Sequence, residues 1–335
     1  MKAAVKRNNG LCAALMFLCI EVVVADDLIL PGPDSLGALA QGQADYRFTT
    51  VRFNPPSEGI RREVLQFEVD GLQQYALVLW PAGQMPASGW PVMQFNHGYH
   101  PDPPQYGFDA SGDINRPGDY YRDVAQRFAR QGMAVVVPDY RGHNSSQGVD
   151  YTQTMLADIW YSRDAVAAFL AIASLPNVDT SRMYMLGHSM GGGITLRAAL
   201  ALGERLDAAA IWSTSAGRYL PWLLDESLTE GEMQDDSSVQ KPALDALATT
   251  LVEAGGIDSL SPLTGISRLQ VPLSIAHAAD DEVTRVENSL EIAARLYLSA
   301  KHYQLRIYAS DDHLFEGSDL DAAVARDMAW FNQHR

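Results

Sequence analysis

Gly187-His188-Ser189-Met190-Gly191 fits the pattern G-x-S-x-G, in which a serine stands on a sharp strand-to-helix turn. A serine hydroxyl is a weak nucleophile, so it needs a turn that exposes it and a base that takes its proton. The flanking sequence supplies the turn: Met183 to Leu186 is an apolar, strand-like run, and Gly192 to Ala199 reads as a helix. Both flanking positions are glycine because a side chain at either would strike the neighbouring strand or helix.

The base must come from elsewhere in the chain. Histidines stand at His97, His100, His143, His188, His277, His302, His313 and His334. Only His313 lies directly after the last strand-like segment and before the final helix, within Asp311-Asp312-His313-Leu314-Phe315, so it is the expected general base. His188, inside the elbow, is expected to point away from the serine hydroxyl, and His97 to fix its own loop. His302 reads as surface and His334 as a frayed end.

A carboxylate must then hold the imidazole in one tautomer and stabilise its charged form. His277-Ala278-Ala279-Asp280-Asp281-Glu282-Val283 follows the apolar strand Pro272 to Ala276 and offers three acids at a strand's C-terminal end. Asp281 is the expected member and Asp280 the alternative. The chain order Ser, Asp, His differs from the orders of chymotrypsin and subtilisin. Donors for a developing oxyanion are expected from the backbone N–H of Met190, just after the nucleophile, and of Tyr99, in Asn96-His97-Gly98-Tyr99. Asp139, Arg141 and His143 form a polar turn expected to brace its loop.

These residues need a scaffold, and the pattern of the chain describes one. Glu63 to Val69, Tyr75 to Trp80 and Trp90 to Phe95 read as strands. Then helix-like Asp119 to Arg130, Met155 to Ala173, Met190 to Leu202, Val286 to Leu298 and Leu320 to Phe331 alternate with strand-like Met133 to Val137, Met183 to Leu186, Ala208 to Trp212, Pro272 to Ala276 and Tyr303 to Tyr308. Such β-α-β alternation predicts an α/β fold with a mostly parallel sheet covered on both faces, and active sites at the C-terminal ends of its strands. Residues 26–59, rich in Gly, Pro and Ser, read as an irregular arm, with edge-strand structure admissible around Tyr46 to Phe53. Residues 213–265 interrupt the alternation and are expected to form a small helical cap over the pocket. The loop from His100 to Gly118 reads equally as a pocket wall or a stiff surface loop. Residues 60–335 form the expected catalytic domain.

Composition narrows the function. Of 335 residues, 41 are acidic and 25 basic, a formal charge of -16, which disfavours nucleic acid and anionic lipid as partners. Residues 1–25 carry Lys2, Lys6 and Arg7, an apolar run from Leu11 to Ile20 and short side chains up to Ala25, the three parts of an export signal. The run is too short to cross a bilayer, and the small residues that precede a lipidated cysteine are missing. Secretion or periplasmic export, with cleavage after Ala25 and no membrane attachment afterwards, is therefore expected. Cys12 and Cys19, the two cysteines, both lie in that leader, so the remainder is expected to hold no disulfide, thiol nucleophile or cysteine-based metal site.

Phe95 to Tyr99, Pro138-Asp139-Tyr140-Arg141-Gly142-His143, the elbow, His277 to Val283 and Asp312-His313 resemble, in order, the blocks of the α/β-hydrolase superfamily. They are most similar to its branch with the prolyl oligopeptidase catalytic domain and dienelactone-hydrolase-like esterases. The resemblance covers roughly residues 60–335 and implies the α/β-hydrolase fold. Its H-G-x-x-D-x-V segment places the acid on Asp281, with Ala278 where glycine is common. Prolyl oligopeptidases carry a propeller before this domain, where here only the arm from Asp26 stands, so the resemblance favours ester over peptide substrates. Ser189 stands where dehalogenases and epoxide hydrolases of this fold need aspartate. Ester hydrolysis through an acyl-enzyme, with no cofactor and no metal, is the expected reaction on a small-molecule ester or peptide. Peptide hydrolysis, cofactor-free acyl transfer or perhydrolysis, and non-catalytic binding are the alternatives; substrate identity and oligomeric state carry no readable code.

Overall fold

The computed structural model describes residues 33–42, 45–57, 59–99, 121–149, 157–216 and 261–334. The leader, the His100 to Gly118 loop and most of the 213–265 cap lie outside the described residues.

Among the described residues, nine strands form one sheet: β1 (Thr49–Ser57), β2 (Ile60–Val69), β3 (Leu72–Trp80), β4 (Trp90–Asn96), β5 (Ala134–Pro138), β6 (Val178–His188), β7 (Ala208–Trp212), β8 (Leu273–Ala278) and β9 (Tyr303–Tyr308). Their order is β1-β2-β3-β5-β4-β6-β7-β8-β9. The pairings β1–β2, β2–β3 and β3–β5 are antiparallel, and the strands from β5 to β9 pair in parallel. The parallel strands β5, β7 and β8 are buried at every position. That is what helices on both faces require, and it explains why these strands read as unbroken apolar runs.

Among the described residues, six α-helices do the covering: α1 (Pro33–Gln41), α2 (Arg122–Arg130), α3 (Ala157–Ala171), α4 (Met190–Leu202), α5 (Val286–Leu298) and α6 (Gly317–Gln333). One face carries α3, α4 and α5, whose Val166, Leu196 and Ile292 pack with Val92, Val136 and Met185 of the sheet. The other carries α2 and α6, whose Phe128 and Phe331 pack with Val135, Tyr184 and Trp212. The two apolar layers hold the sheet rigid, and its carboxyl ends present the site.

The arm 26–59 is not irregular throughout. Helix α1 buries Leu36 and Ala40, and β1 pairs antiparallel with β2 at the sheet's edge. The edge strand admitted around Tyr46 to Phe53 is present as β1, while the helix departs from the expectation: Pro33 opens it, where its missing N–H costs nothing, and Pro55-Pro56 sit in the edge strand at a register shift.

Candidate active site

Ser189 stands between the end of β6 and the start of α4 with φ 57° and ψ -123°. A non-glycine residue there is strained by roughly 1–3 kcal/mol and persists only where its surroundings impose it. Here they do. A Cβ at Gly187 would collide with the Gly191 carbonyl and the Thr195 hydroxyl, and one at Gly191 would collide with the Asn96 and His97 carbonyls of the β4 strand end. Main-chain hydrogen bonds from Ser189 N–H to the Trp212 carbonyl (3.0 Å) and from Ser215 N–H to the Ser189 carbonyl (3.1 Å) fasten the elbow to β7.

Two expected oxyanion donors adjoin this serine. Met190 is the first residue of α4, so its N–H has no partner within the helix and lies at the positive end of the helix dipole. Tyr99 follows Gly98, where a Cβ would lie 2.9 Å from Ser189 Cβ, so the chain at residues 98–99 passes directly over the serine.

His313 and Asp281 meet across the ends of β8 and β9. Nδ1 of His313 lies 2.8 Å from Oδ2 of Asp281, whose side chain is fully buried. Asp281 Oδ1 accepts from the N–H groups of Val283 (2.8 Å) and Thr284 (2.9 Å), and the Thr284 hydroxyl lies 3.0 Å from Oδ2. Burial works against the carboxylate, but hydrogen bonds from His277 and His313 and the N–H of Thr284 outweigh it and hold Asp281 ionised far below the usual carboxylate range. Because a carboxylate only accepts, His313 carries its proton on Nδ1 and leaves the Nε2 lone pair open. Asp280, the alternative acid, donates its N–H to the Ser310 carbonyl at 3.1 Å; the His313 ring pairs with Asp281.

Other residues hold this arrangement that their sequence positions did not mark. His277 Nε2 lies 3.0 Å from the Thr284 carbonyl and Nδ1 2.7 Å from the Ser289 hydroxyl, which fastens the acid's loop to α5. The Thr284 hydroxyl also lies 2.9 Å from the Ser213 carbonyl. His188 points to Tyr121 on one side, with Nδ1 2.9 Å from its hydroxyl, and to the His313 carbonyl on the other, with Nε2 at 2.8 Å. Burial, with the neighbouring His313 adding to it, pushes the His188 imidazole down to about 3. Only the strand-to-helix context of His188 was readable; where its ring reaches has no local signature.

The polar turn after β5 lies beside the site. Arg141, fully buried, holds Asp164 through Nε and Nη2 (2.7 Å) and Asp70 through Nη2 (3.0 Å), while Arg163 also grips Asp70. His97 stacks on Tyr140 at 4.4 Å between ring centres, and His143 meets Tyr161 edge-on. Among the described residues, no group of three or more His, Cys, Asp or Glu is arranged to hold a metal ion, and no helix is long and apolar enough to cross a membrane.

Known proteins share this architecture. The uncharacterized peptidase YtmA of Bacillus subtilis (strain 168) is 22% identical over 279 residues, covering 83% of this chain and 96% of that protein. An acetyl xylan esterase from Paenibacillus sp. R4 superposes with a TM-score of 0.64 at 18% identity, over 90% of this chain and 93% of the esterase. Dipeptidyl peptidase 4 of Porphyromonas gingivalis superposes with a TM-score of 0.60 at 21% identity, over 85% of this chain but only 36% of the peptidase. These likenesses establish the α/β-hydrolase fold. The prolyl oligopeptidase family matches residues 120–335, from just before α2 to the end of the chain and across Ser189, Asp281 and His313. The chain therefore belongs to the prolyl oligopeptidase family and is a serine hydrolase with both esterases and peptidases among its neighbours.

Proposed function

We propose that this chain hydrolyses carboxylic esters through an acyl-enzyme on Ser189, with His313 as general base and Asp281 as the acid that orients it. The observation that carries the reading is the 2.8 Å contact between His313 Nδ1 and the buried Asp281 carboxylate, at the same sheet end as a serine held at φ 57°. With its proton on Nδ1, His313 offers Nε2 to the serine hydroxyl. Ser189 Oγ bonds to the carbonyl carbon as its proton passes to Nε2, and the imidazolium that forms is stabilised by Asp281. Collapse of the tetrahedral intermediate breaks the bond to the alcohol oxygen, which leaves with the proton from Nε2. Water then repeats the sequence on the acyl-enzyme and releases the acid. The Met190 and Tyr99 N–H groups, with the positive end of α4, receive the oxyanion.

Structural neighbours matched over nearly their whole length support ester substrates. The acetyl xylan esterases of Paenibacillus sp. R4 and Thermoanaerobacterium sp. are each matched over 93% of their length, and dipeptidyl peptidase 4 over 36%. Small peptides are the second reading, because YtmA, described as a peptidase, is matched over 96% of its length. Turnover of p-nitrophenyl acetate against peptide p-nitroanilides separates the two: faster ester turnover, abolished in Ser189→Ala, is expected. Anilide turnover exceeding ester turnover would reverse the assignment, and activity surviving in Ser189→Ala would remove its basis.

Export completes the proposal, with the basic and apolar leader removed after Ala25. Amino-terminal sequencing of protein from the host's extracytoplasmic fraction should begin at Asp26; a chain retaining Met1 would refute it.

A further inference from the structure

The general base is held at two points, and they answer to different parts of the molecule. Its ring is fixed by Asp281, which belongs to the loop after β8. Its main chain is fixed by His188, the residue that immediately precedes the nucleophile, through the 2.8 Å contact between His188 Nε2 and the His313 carbonyl. The first contact sets which way the imidazole faces. The second sets where it stands relative to Ser189, because His188 and Ser189 are successive residues of one elbow.

The proton positions on this link follow from its chemistry. A carbonyl oxygen only accepts, so His188 Nε2 carries hydrogen and donates to it. In a neutral ring Nδ1 is then an acceptor, and the Tyr121 hydroxyl, 2.9 Å away, donates to it. Tyr121 is buried, and a Cβ at Gly98 would lie 2.5 Å from its hydroxyl, so the same phenol also packs against the chain segment that carries Tyr99. One directed line, Tyr121 to His188 to His313, thus touches the oxyanion segment, the elbow and the loop of the base.

One further main-chain hydrogen bond holds that loop, from Asp280 N–H to the Ser310 carbonyl at 3.1 Å, three residues before His313, while the packing just after His313 is apolar. Phe315 is buried against Trp212 and Tyr308, with ring centres 5.5 and 4.7 Å away. Apolar packing holds a loop without fixing its direction to a fraction of an ångström, whereas a directed hydrogen bond to a main-chain carbonyl does. From this arrangement we propose that His188 and Tyr121 are a positioning pair, which holds the main chain of His313 at the distance from Ser189 that proton transfer needs. The proposal rests on the assignment of Ser189 and His313 given above. Both members of the pair are buried.

The test uses the full mature chain and two measurements: kcat and KM on p-nitrophenyl acetate, and the rate of covalent labelling by a fluorophosphonate, which reports serine activation independently of the natural substrate. His188→Leu removes the donor and is expected to lower kcat and labelling about 10- to 100-fold with KM changed by less than about two-fold, since the lost interaction acts on the transition state. His188→Gln keeps an amide N–H for the His313 carbonyl and an oxygen for Tyr121, and is expected to recover to within about three- to five-fold of the parent. Tyr121→Phe deletes one oxygen atom and is expected to cost about three- to ten-fold in kcat, again without change in KM. It decides the matter if His188→Leu does not fold. Parent-like kcat and labelling in both His188→Leu and Tyr121→Phe would overturn the proposal. So would a loss in kcat that His188→Gln fails to restore, because steric support alone would then account for the ring. If the parent itself is not labelled, or Ser189→Ala still is, the serine assignment fails and the positioning pair falls with it; a labelled parent and an inert Ser189→Ala leave the pair to be judged by its own variants.

Discussion

Two buried polar clusters lie at the carboxyl ends of the strands, and they are built on opposite principles. Around Arg141, two guanidiniums face two carboxylates: Arg141 holds Asp164 and Asp70, and Arg163 holds Asp70. Burial works against the Arg141 cation, but Asp164 and Asp70 raise it above its ordinary value. Charge is matched there by permanent partners. Around Asp281, a fully buried carboxylate has, among the described residues, imidazoles, a hydroxyl and two N–H groups as partners and no cation. The first cluster is complete as it stands and braces a loop. The second lacks a permanent cation, and a cation is what His313 becomes when it takes a proton. On the proposed mechanism, a carboxylate left unmatched beside a histidine is what distinguishes the cluster poised for chemistry from the one built for support.

Replacing each carboxylate by its amide tests this contrast most severely. Asp281→Asn should lower kcat by about 1,000- to 10,000-fold, because an amide neither holds the Nδ1–H tautomer nor stabilises the imidazolium, while the fold survives. Asp164→Asn should do the reverse: kcat within about three-fold of the parent, but a loss of about 3–5 kcal/mol in stability, since Arg141 is left buried beside a neutral partner. Urea unfolding alongside ester turnover reads both. If Asp164→Asn loses activity at unchanged stability, the two clusters do not differ in kind.

A pH titration of stability sharpens the comparison. His188 titrates at about 3 in the folded chain and near 6.5 when unfolded, because burial disfavours its cation. Between these values the unfolded chain binds a proton that the folded chain does not, so stability falls as pH falls, by about 1.4 kcal/mol per pH unit for this group. Buried His143, also lowered well below its ordinary value chiefly by burial, acts with the same sign. From pH 6.5 down to about 4.5, His188 alone should cost about 2 kcal/mol. His188→Gln should flatten the slope by one proton's worth, and an unchanged slope would show that the folded chain does protonate this ring. Asp281, held below the ordinary carboxylate value, contributes stability present above about pH 4 and lost only below it, outside the range from pH 6.5 to 4.5.

Much of this scaffold was legible in the chain because its signals are local. The expected segments Met190 to Leu202, Ala208 to Trp212, Val286 to Leu298 and Tyr303 to Tyr308 coincide with α4, β7, α5 and β9. Each has a helical repeat of apolar residues, a short unbroken apolar run or, from Tyr303 to Tyr308, an alternation of apolar and polar residues. The elbow was legible because glycine on both sides of a serine answers to a crowding that a Cβ cannot satisfy. The helix of the arm was not, because Pro and Gly punctuate irregular chain and Pro also opens helices. Nor was the bracing of His313. His188 is 125 positions away from it, and Ser213 is 71 from Thr284, so no local pattern encodes either contact.

A smaller effect is expected at Thr284, and its size follows from counting hydrogens. The Thr284 hydroxyl has one proton and two oxygen acceptors within reach, the Ser213 carbonyl at 2.9 Å and Asp281 Oδ2 at 3.0 Å, with His313 Nδ1 at 3.4 Å. Thr284→Val keeps the shape and removes that proton, leaving the Ser213 carbonyl without this donor and Oδ2 with His313 as its nearest partner. Oδ1 is untouched, because the N–H groups of Val283 and Thr284 that hold it belong to the main chain. The acid therefore stays in place and its hold on His313 loosens only slightly. A fall in kcat of about 5- to 20-fold and a loss of about 1 kcal/mol in stability are expected, both restored by Thr284→Ser. A fall approaching that of Asp281→Asn would show that the hydroxyl, rather than the main chain, keeps the carboxylate facing the ring, and the site would then depend on a side chain where the present geometry makes it depend on the backbone of a single turn.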